Sequence, residues 1–117
     1  MDDQQRVVWQ RFNAGWAERV RAAIDDGIVE EHRRAPRGPH SERLARVLRF
    51  LRSQPIEGKL IVVEEEPWRS YRVGVLTGVP GEPAAILEDR YAGYDECLHA
   101  IFVRRIEELM AGSHAAR

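Results

Sequence analysis

The spacing of apolar residues changes twice along the 117-residue chain, and no other sequence feature constrains the fold as strongly. From Asp3 to Asp26 and from Ser41 to Gln54, apolar residues recur every three to four positions, which is typical of amphipathic helices. From Lys59 to Glu88 they form short β-branched runs, which indicate strands. Helical spacing returns from Asp95 to Met110. We therefore predict an α+β domain.

Turn signals divide the middle region into the three strands of an antiparallel meander. We place the strands at Lys59–Glu64, Arg69–Thr77 and Ala84–Glu88. The first turn is predicted at Glu65–Pro67. The second, Val79–Glu82, matches a type II turn because proline presets the first central position and Gly81 accepts the positive φ of the second.

Helix-start and helix-stop residues set the limits of the helical segments. Gly27 is predicted to end the first helix in the left-handed conformation, and Ile28–Arg34 is interpreted as one more short helix. Ser41 is predicted to cap the second long helix, which Pro55 ends at the residue before it. Gly112 is predicted to end the last helix.

These elements predict one domain over residues 1–117. Two N-terminal helices precede the three-stranded meander, and the C-terminal helix packs on the sheet. Residues 1–40 are interpreted as a helical arm and loop, and residues 41–112 as the helix–strand–strand–strand–helix core.

The charges of the chain nearly cancel, with 18 basic and 19 acidic residues and a net charge of −1. Such a balance gives no long-range attraction to nucleic acid or to an anionic membrane, and we expect neither as a partner. The longest aliphatic run, Leu60–Val63, is too short to cross a bilayer. The single cysteine excludes an internal disulfide and fits a reducing cytoplasm, where we expect the protein to lie.

The polar residues offer no convergent catalytic or metal-binding set. Cys97 and His99 are the tempting pair, but residues two apart on a helix point about 200° apart, so we do not expect a dyad. The four histidines fall on different segments without the i, i+4 spacing of metal ligands. We therefore expect no catalytic residue, cofactor site or metal site in this chain.

The second long helix has an unusual outer side. Its buried stripe is predicted at Leu44, Val47, Leu48 and Leu51. A helical wheel places Phe50 between Arg43 and Arg46, away from that stripe. An aromatic ring flanked by guanidinium groups is typical of interface hot spots, although a solvated surface remains the competing interpretation. We take Arg43, Arg46 and Phe50, together with Trp68 and Arg72 of the second strand region, as candidate contacts with a partner protein.

Three segments resemble a known family. They are Gln54–Lys59, Trp68–Val73 and Leu98–Glu107, with the motifs Gln-Pro, Gly-Lys, Trp-Arg-Ser-Tyr-Arg, His-Ala-Ile-Phe and Arg-Ile-Glu in order. In this order they resemble the small subunit of N,N-dimethylformamidase, in register over residues 41–110.

The resemblance implies a noncatalytic chain in a heterooligomer. In that family a much larger subunit carries the mononuclear iron and the residues that hydrolyse the formamide bond. The sequence alone leaves two alternatives open. One is a free-standing α+β domain that binds a ligand or forms a homodimer, and the other is a nucleic-acid-binding module that uses the arginine-rich helix.

Overall fold

The computed structural model describes residues 2–56 and 58–115, with side chains up to residue 112. Four helices and three strands follow one another along the chain: α1 (Asp3–Ala23), α2 (Asp26–Arg34), α3 (Glu42–Ser53), β1 (Leu60–Glu66), β2 (Ser70–Val75), β3 (Ala85–Tyr91) and α4 (Tyr94–Ala115). The strands form one antiparallel sheet in the order β1-β2-β3. The predicted α+β class is therefore confirmed, with three helices ahead of the sheet because the short segment after Asp25 is a helix of its own.

Two predicted helix stops are wrong. Gly27 lies inside α2, because the Asp25 side chain caps that helix by accepting a hydrogen bond from the Ile28 amide at 2.9 Å. The α1 helix ends earlier, at Ala23. Gly112 lies inside α4. A glycine within a helix costs only about 1 kcal/mol relative to alanine, so it does not end a helix unaided.

The predicted start of α3 and the predicted second turn of the sheet are confirmed. Ser41 Oγ accepts a hydrogen bond from the Leu44 amide at 3.2 Å. Gly81 has a φ of 85°, and the Glu82 amide donates to Val79 O at 3.1 Å. The first turn lies later than predicted, at residues 67–69, because β1 extends to Glu66 and includes all three glutamates.

The buried side chains form two clusters on either side of α4. The first joins the helices and includes Ala17, Val20, Ile28, Leu44, Val47, Phe50, Leu51, Phe102 and Ile106. The second, formed by Leu60, Tyr71, Val73, Cys97 and Ile101, packs α4 on the sheet as predicted. Residues 1–40 thus contribute Ala17, Val20 and Ile28 to the same core as α3 and α4.

Three arginines join α1, α3 and α4 in a closed cycle of hydrogen bonds to backbone carbonyls. The bonds run from Arg43 Nε to Ala23 O (3.1 Å), from Arg105 Nη2 to Leu51 O (2.8 Å) and from Arg21 Nε to Leu109 O (3.0 Å). Two of the acceptors lie in the last turn of their helix, where carbonyls lack a regular i+4 donor. The guanidinium groups therefore satisfy helix ends while fixing the helices to one another.

The face of the sheet opposite α4 is closely packed around Gly74. A Cβ atom built there would lie 2.8 Å from Val63 Cγ2 and 3.2 Å from Ala84 Cβ. We therefore expect Gly74→Ala to lower the free energy of unfolding by about 1 to 2 kcal/mol through overpacking. Urea denaturation followed by circular dichroism measures this change.

The same substitution at Gly15 in α1 provides the control. A Cβ atom there meets only Arg19 Nη1, at 3.7 Å, an ordinary contact. Because alanine is the better helix former, Gly15→Ala should leave stability unchanged or raise it by up to about 1 kcal/mol. Equal destabilisation by both changes would contradict the close packing at Gly74.

Candidate functional site

Three histidines that are far apart in the sequence meet between α2 and α4. His32 is buried, with 3% of its surface exposed, and its Nδ1 lies 2.9 Å from Nδ1 of His99. The His32 ring also stacks on Phe102, with centroids 4.0 Å apart, and faces the ring of His40 at 6.0 Å. Sequence spacing had suggested scattered histidines, and only the packing of α2 on α4 brings them together.

This cluster favours neutral imidazoles. Burial, followed by the charge of His99, lowers the pKa of His32 to about 4. Burial also lowers the pKa of His99. One Nδ1 must donate and the other accept, so a single proton lies between the two Nδ1 atoms and the accepting ring carries its own proton on Nε2. Among the described side chains, residues 2–56 and 58–112, no group of three His, Cys, Asp or Glu residues could hold a metal ion.

Cys97 faces the sheet and lies in the second buried cluster with Tyr71 and Val73. Its side chain is fully buried, and burial raises the pKa of the thiol. A buried, protonated thiol is a poor nucleophile. His99 instead points to α2, where it bonds to His32, so the two residues share a helix without facing each other.

The outward placement of Phe50 is wrong. Its ring is 2% exposed and packs edge-on against Trp16 of α1, with centroids 5.0 Å apart. Phe50 lies only about 60° beyond Val47 on the helical wheel, and α3 needs a wide apolar face because it packs between α1 and α4. Phe50 is therefore a core residue and no longer a candidate partner contact.

Arg43 and Arg46 remain exposed, with 51% and 70% of their side-chain surfaces accessible. They line a groove of about 350 Å³ between α1 and α3, which we call the aromatic–arginine groove. Its walls include half-buried Trp16 and the exposed side chains of Phe12, Arg19, Arg43, Arg46 and Arg49. Arg43 pairs with Asp25, and Arg46 pairs with Glu42 at 3.2 Å.

The first three turns of α1 carry apolar side chains that the described chain does not cover. Val8 is 63% exposed, Phe12 is 60% exposed and Trp9 is 38% exposed. The radius of gyration, 15.5 Å, exceeds the roughly 13 Å of a compact chain of this length. The helical pattern predicted this apolar side of α1 but not that half of it would lie outside the core.

Comparison with known proteins identifies the family. A family model described as N,N-dimethylformamidase alpha subunit matches residues 7–116. The chain belongs to this family. The N,N-dimethylformamidase alpha subunit of Paracoccus aminophilus is 35% identical over 112 residues, which are 92% of this chain and 79% of the relative. That of an Alcaligenes species is 37% identical over 87 residues, covering 72% of this chain and 65% of the relative.

The N,N-dimethylformamidase alpha subunit motifs lie where elements of the fold meet. Gln54 of the Gln-Pro motif donates from Nε2 to Asn13 Oδ1 of α1 at 3.1 Å. Tyr71 is buried under α4, and its ring packs edge-on against Tyr94 at 5.9 Å. His99 of the His-Ala-Ile-Phe motif forms a hydrogen bond with His32 of α2. In this family member the motif residues therefore hold helices and sheet together.

The two remaining candidate contacts of the sheet behave differently. Trp68 occupies the β1–β2 turn with a φ of 65° and is 89% exposed. Arg72 was expected to point outward, but its Nε donates to Leu87 O at 2.7 Å and its side chain is only 21% exposed. Glu65 lies 3.8 Å from Arg72 and bonds to Arg90 at 3.0 Å. Arg72 therefore ties the strands together, and its contact with a partner stays a prediction.

Proposed function

We propose that this chain is the small subunit of a formamide-hydrolysing enzyme and that it binds and stabilises a larger, catalytic subunit. The observation that carries the proposal is the match of residues 7–116 to the N,N-dimethylformamidase alpha subunit family. The relatives in Paracoccus aminophilus and Alcaligenes are named as alpha subunits, and a subunit name implies at least one further chain in those enzymes.

The proposal places a mononuclear iron on the larger subunit. The described part of this chain offers no group of three metal-ligating side chains, and its buried histidine pair uses both Nδ1 atoms on each other. Iron needs several convergent nitrogen or oxygen ligands. The residues present here do not fit that ion, and no step of hydrolysis is assigned to them.

The surface of the chain supports a binding role. Arg46 and Trp68 are exposed, and both residue types are enriched among interface hot spots. The uncovered turns of α1 add an apolar surface that a partner would shield. The described residues contain no helix that is long and apolar enough to span a membrane. We place the complex in the cytoplasm, which suits the unpaired Cys97.

Reconstitution tests the proposal. The chain, the large subunit from the same organism and their mixture are each assayed for dimethylamine release from N,N-dimethylformamide. We expect no turnover by this chain alone, turnover by the mixture, and co-elution of the two chains in gel filtration. Iron analysis should find the metal with the large subunit.

Two results would contradict this function. Turnover by the isolated chain would give it an active site of its own. A large subunit that is fully active and equally stable without this chain would remove the need for a small subunit. If this chain neither binds the large subunit nor changes its stability, the alternative of a free-standing ligand-binding or homodimeric domain is favoured.

A further inference from the structure

The exposed part of α1 and the aromatic–arginine groove form one continuous surface. Phe12 belongs to both, since it lies in the apolar strip with Val8 and Trp9 and also lines the groove. Its ring packs on Trp16 at 5.9 Å, and Trp16 packs in turn on buried Phe50. The surface therefore has an apolar half anchored to the core and a cationic half along α3.

Among the described residues, the cationic half has more guanidinium groups than ion-paired carboxylates. Arg19, Arg43, Arg46 and Arg49 line the groove. The carboxylates paired with them are Asp25 and Glu42, so four guanidinium groups and two carboxylates leave an excess of two positive charges. All these pairs are exposed to solvent. Exposed ion pairs are weak, so a partner carboxylate can compete for these guanidinium groups.

A second copy of this chain supplies a poor complement. The α1 helix carries four arginines and two acidic residues, so a second copy would bring a net positive helix to a groove that is already cationic. The occupant that the charges favour is therefore another chain.

We propose that this surface binds a segment of the large subunit that carries apolar side chains followed by acidic residues. This inference rests on the proposed function, because it takes the large subunit as the occupant. The apolar side chains cover Val8, Trp9 and Phe12, and the acidic residues bind the guanidinium groups of Arg46 and Arg49. Binding at the groove thereby buries the side of α1 that the fold leaves uncovered.

Charge-reversal variants test the cationic half. The double variant Arg46→Glu/Arg49→Glu changes the groove, whereas Arg52→Glu/Arg104→Glu makes the same change of charge at two exposed positions that do not line it. Binding to the purified large subunit is measured by titration calorimetry at low and high salt. We expect the groove variant to bind about 10-fold more weakly or worse, with a reduced salt dependence, and the control to bind as the wild type does.

Serine variants test the apolar half. Phe12→Ser removes an aromatic ring from the strip, and Val79→Ser removes an exposed apolar side chain from the β2–β3 turn. We expect Phe12→Ser to bind the large subunit about 10-fold more weakly than the wild type and Val79→Ser to bind it as the wild type does. Circular dichroism melts of each variant confirm that the fold is retained, and slower amide hydrogen exchange in residues 8–20 on complex formation provides a readout that needs no substitution.

The outcomes separate this inference from the function on which it rests. If the wild-type chain binds the large subunit and all groove variants bind equally well, the surface is wrong and the function stands. If the wild-type chain does not bind the large subunit, both are wrong. A wild-type homodimer lost in the groove variants, or binding of a duplex DNA or single-stranded RNA probe lost in them, would also overturn the assignment of this surface to the large subunit.

Discussion

Replacing Phe50 by alanine should lower the free energy of unfolding by about 3 to 5 kcal/mol, the range for a large aromatic side chain removed from a core. The ring is 2% exposed and lies in the cluster that joins the helices. It also provides the surface against which Trp16 packs at 5.0 Å. Urea denaturation of the isolated chain, followed by circular dichroism, measures the loss.

Leu48→Ala on the same helix gives the comparison. Leu48 is only partly buried at the edge of that cluster, so its truncation should cost less than that of Phe50. Both variants must be compared at one pH and one protein concentration. A Phe50→Ala chain as stable as the wild type would mean that the ring does not lie in the core and that α3 is rotated.

Lowering the pH from 7 to 5 should destabilise the fold by about 2 kcal/mol through His32. The pKa of this imidazole is about 4 in the folded chain and near 6.5 when unfolded. Between these two pKa values the unfolded chain binds more protons than the folded chain. The stability that neutral His32 contributes is therefore fully present above pH 6.5 and is lost as the pH falls towards 4. When both imidazoles are protonated, the bond between His32 and His99 is also lost, because two Nδ1–H groups then face each other.

Denaturation at pH 7 and pH 5 measures this effect, and His32→Phe isolates its source. A phenyl ring keeps the stacking on Phe102 but cannot ionise, so the pH dependence should fall to about half or less. Carboxylates with a lowered pKa, such as Glu30 and Glu65, also stabilise the fold, but that stability is lost at a lower pH than the range from 7 to 5 used here. Unchanged pH dependence in the His32 variant would contradict the buried imidazole pair.

Local signals in the sequence predicted most of the fold. The Ser41 cap, the turn at Gly81 and the β-branched runs of the strands depend on a few neighbouring residues, so they can be read from a short window. Gly27 was misread because a second local signal, the Asp25 cap, overrides it. The wheel of α3 was correct for Arg43 and Arg46. It failed for Phe50 because the width of an apolar face depends on how many elements pack on the helix. The sequence of α3 alone does not show that number.

The candidate site was less predictable because its features join distant segments. His32 and His99 are separated by 67 positions, and no spacing rule connects them. The aromatic–arginine groove likewise needs α1 beside α3. The composition of each helix was visible in the sequence, whereas the surface that they make together depends on the packing of one against the other.

The cycle of arginine bonds among α1, α3 and α4 makes the connection between these helices redundant. If one of the three hydrogen bonds is lost, the other two still connect all three helices, because each pair is joined either directly or through the third helix. Loss of Arg21, Arg43 or Arg105 alone therefore leaves no helix detached from the others. The orientation of the three helices therefore does not depend on any single one of these arginines.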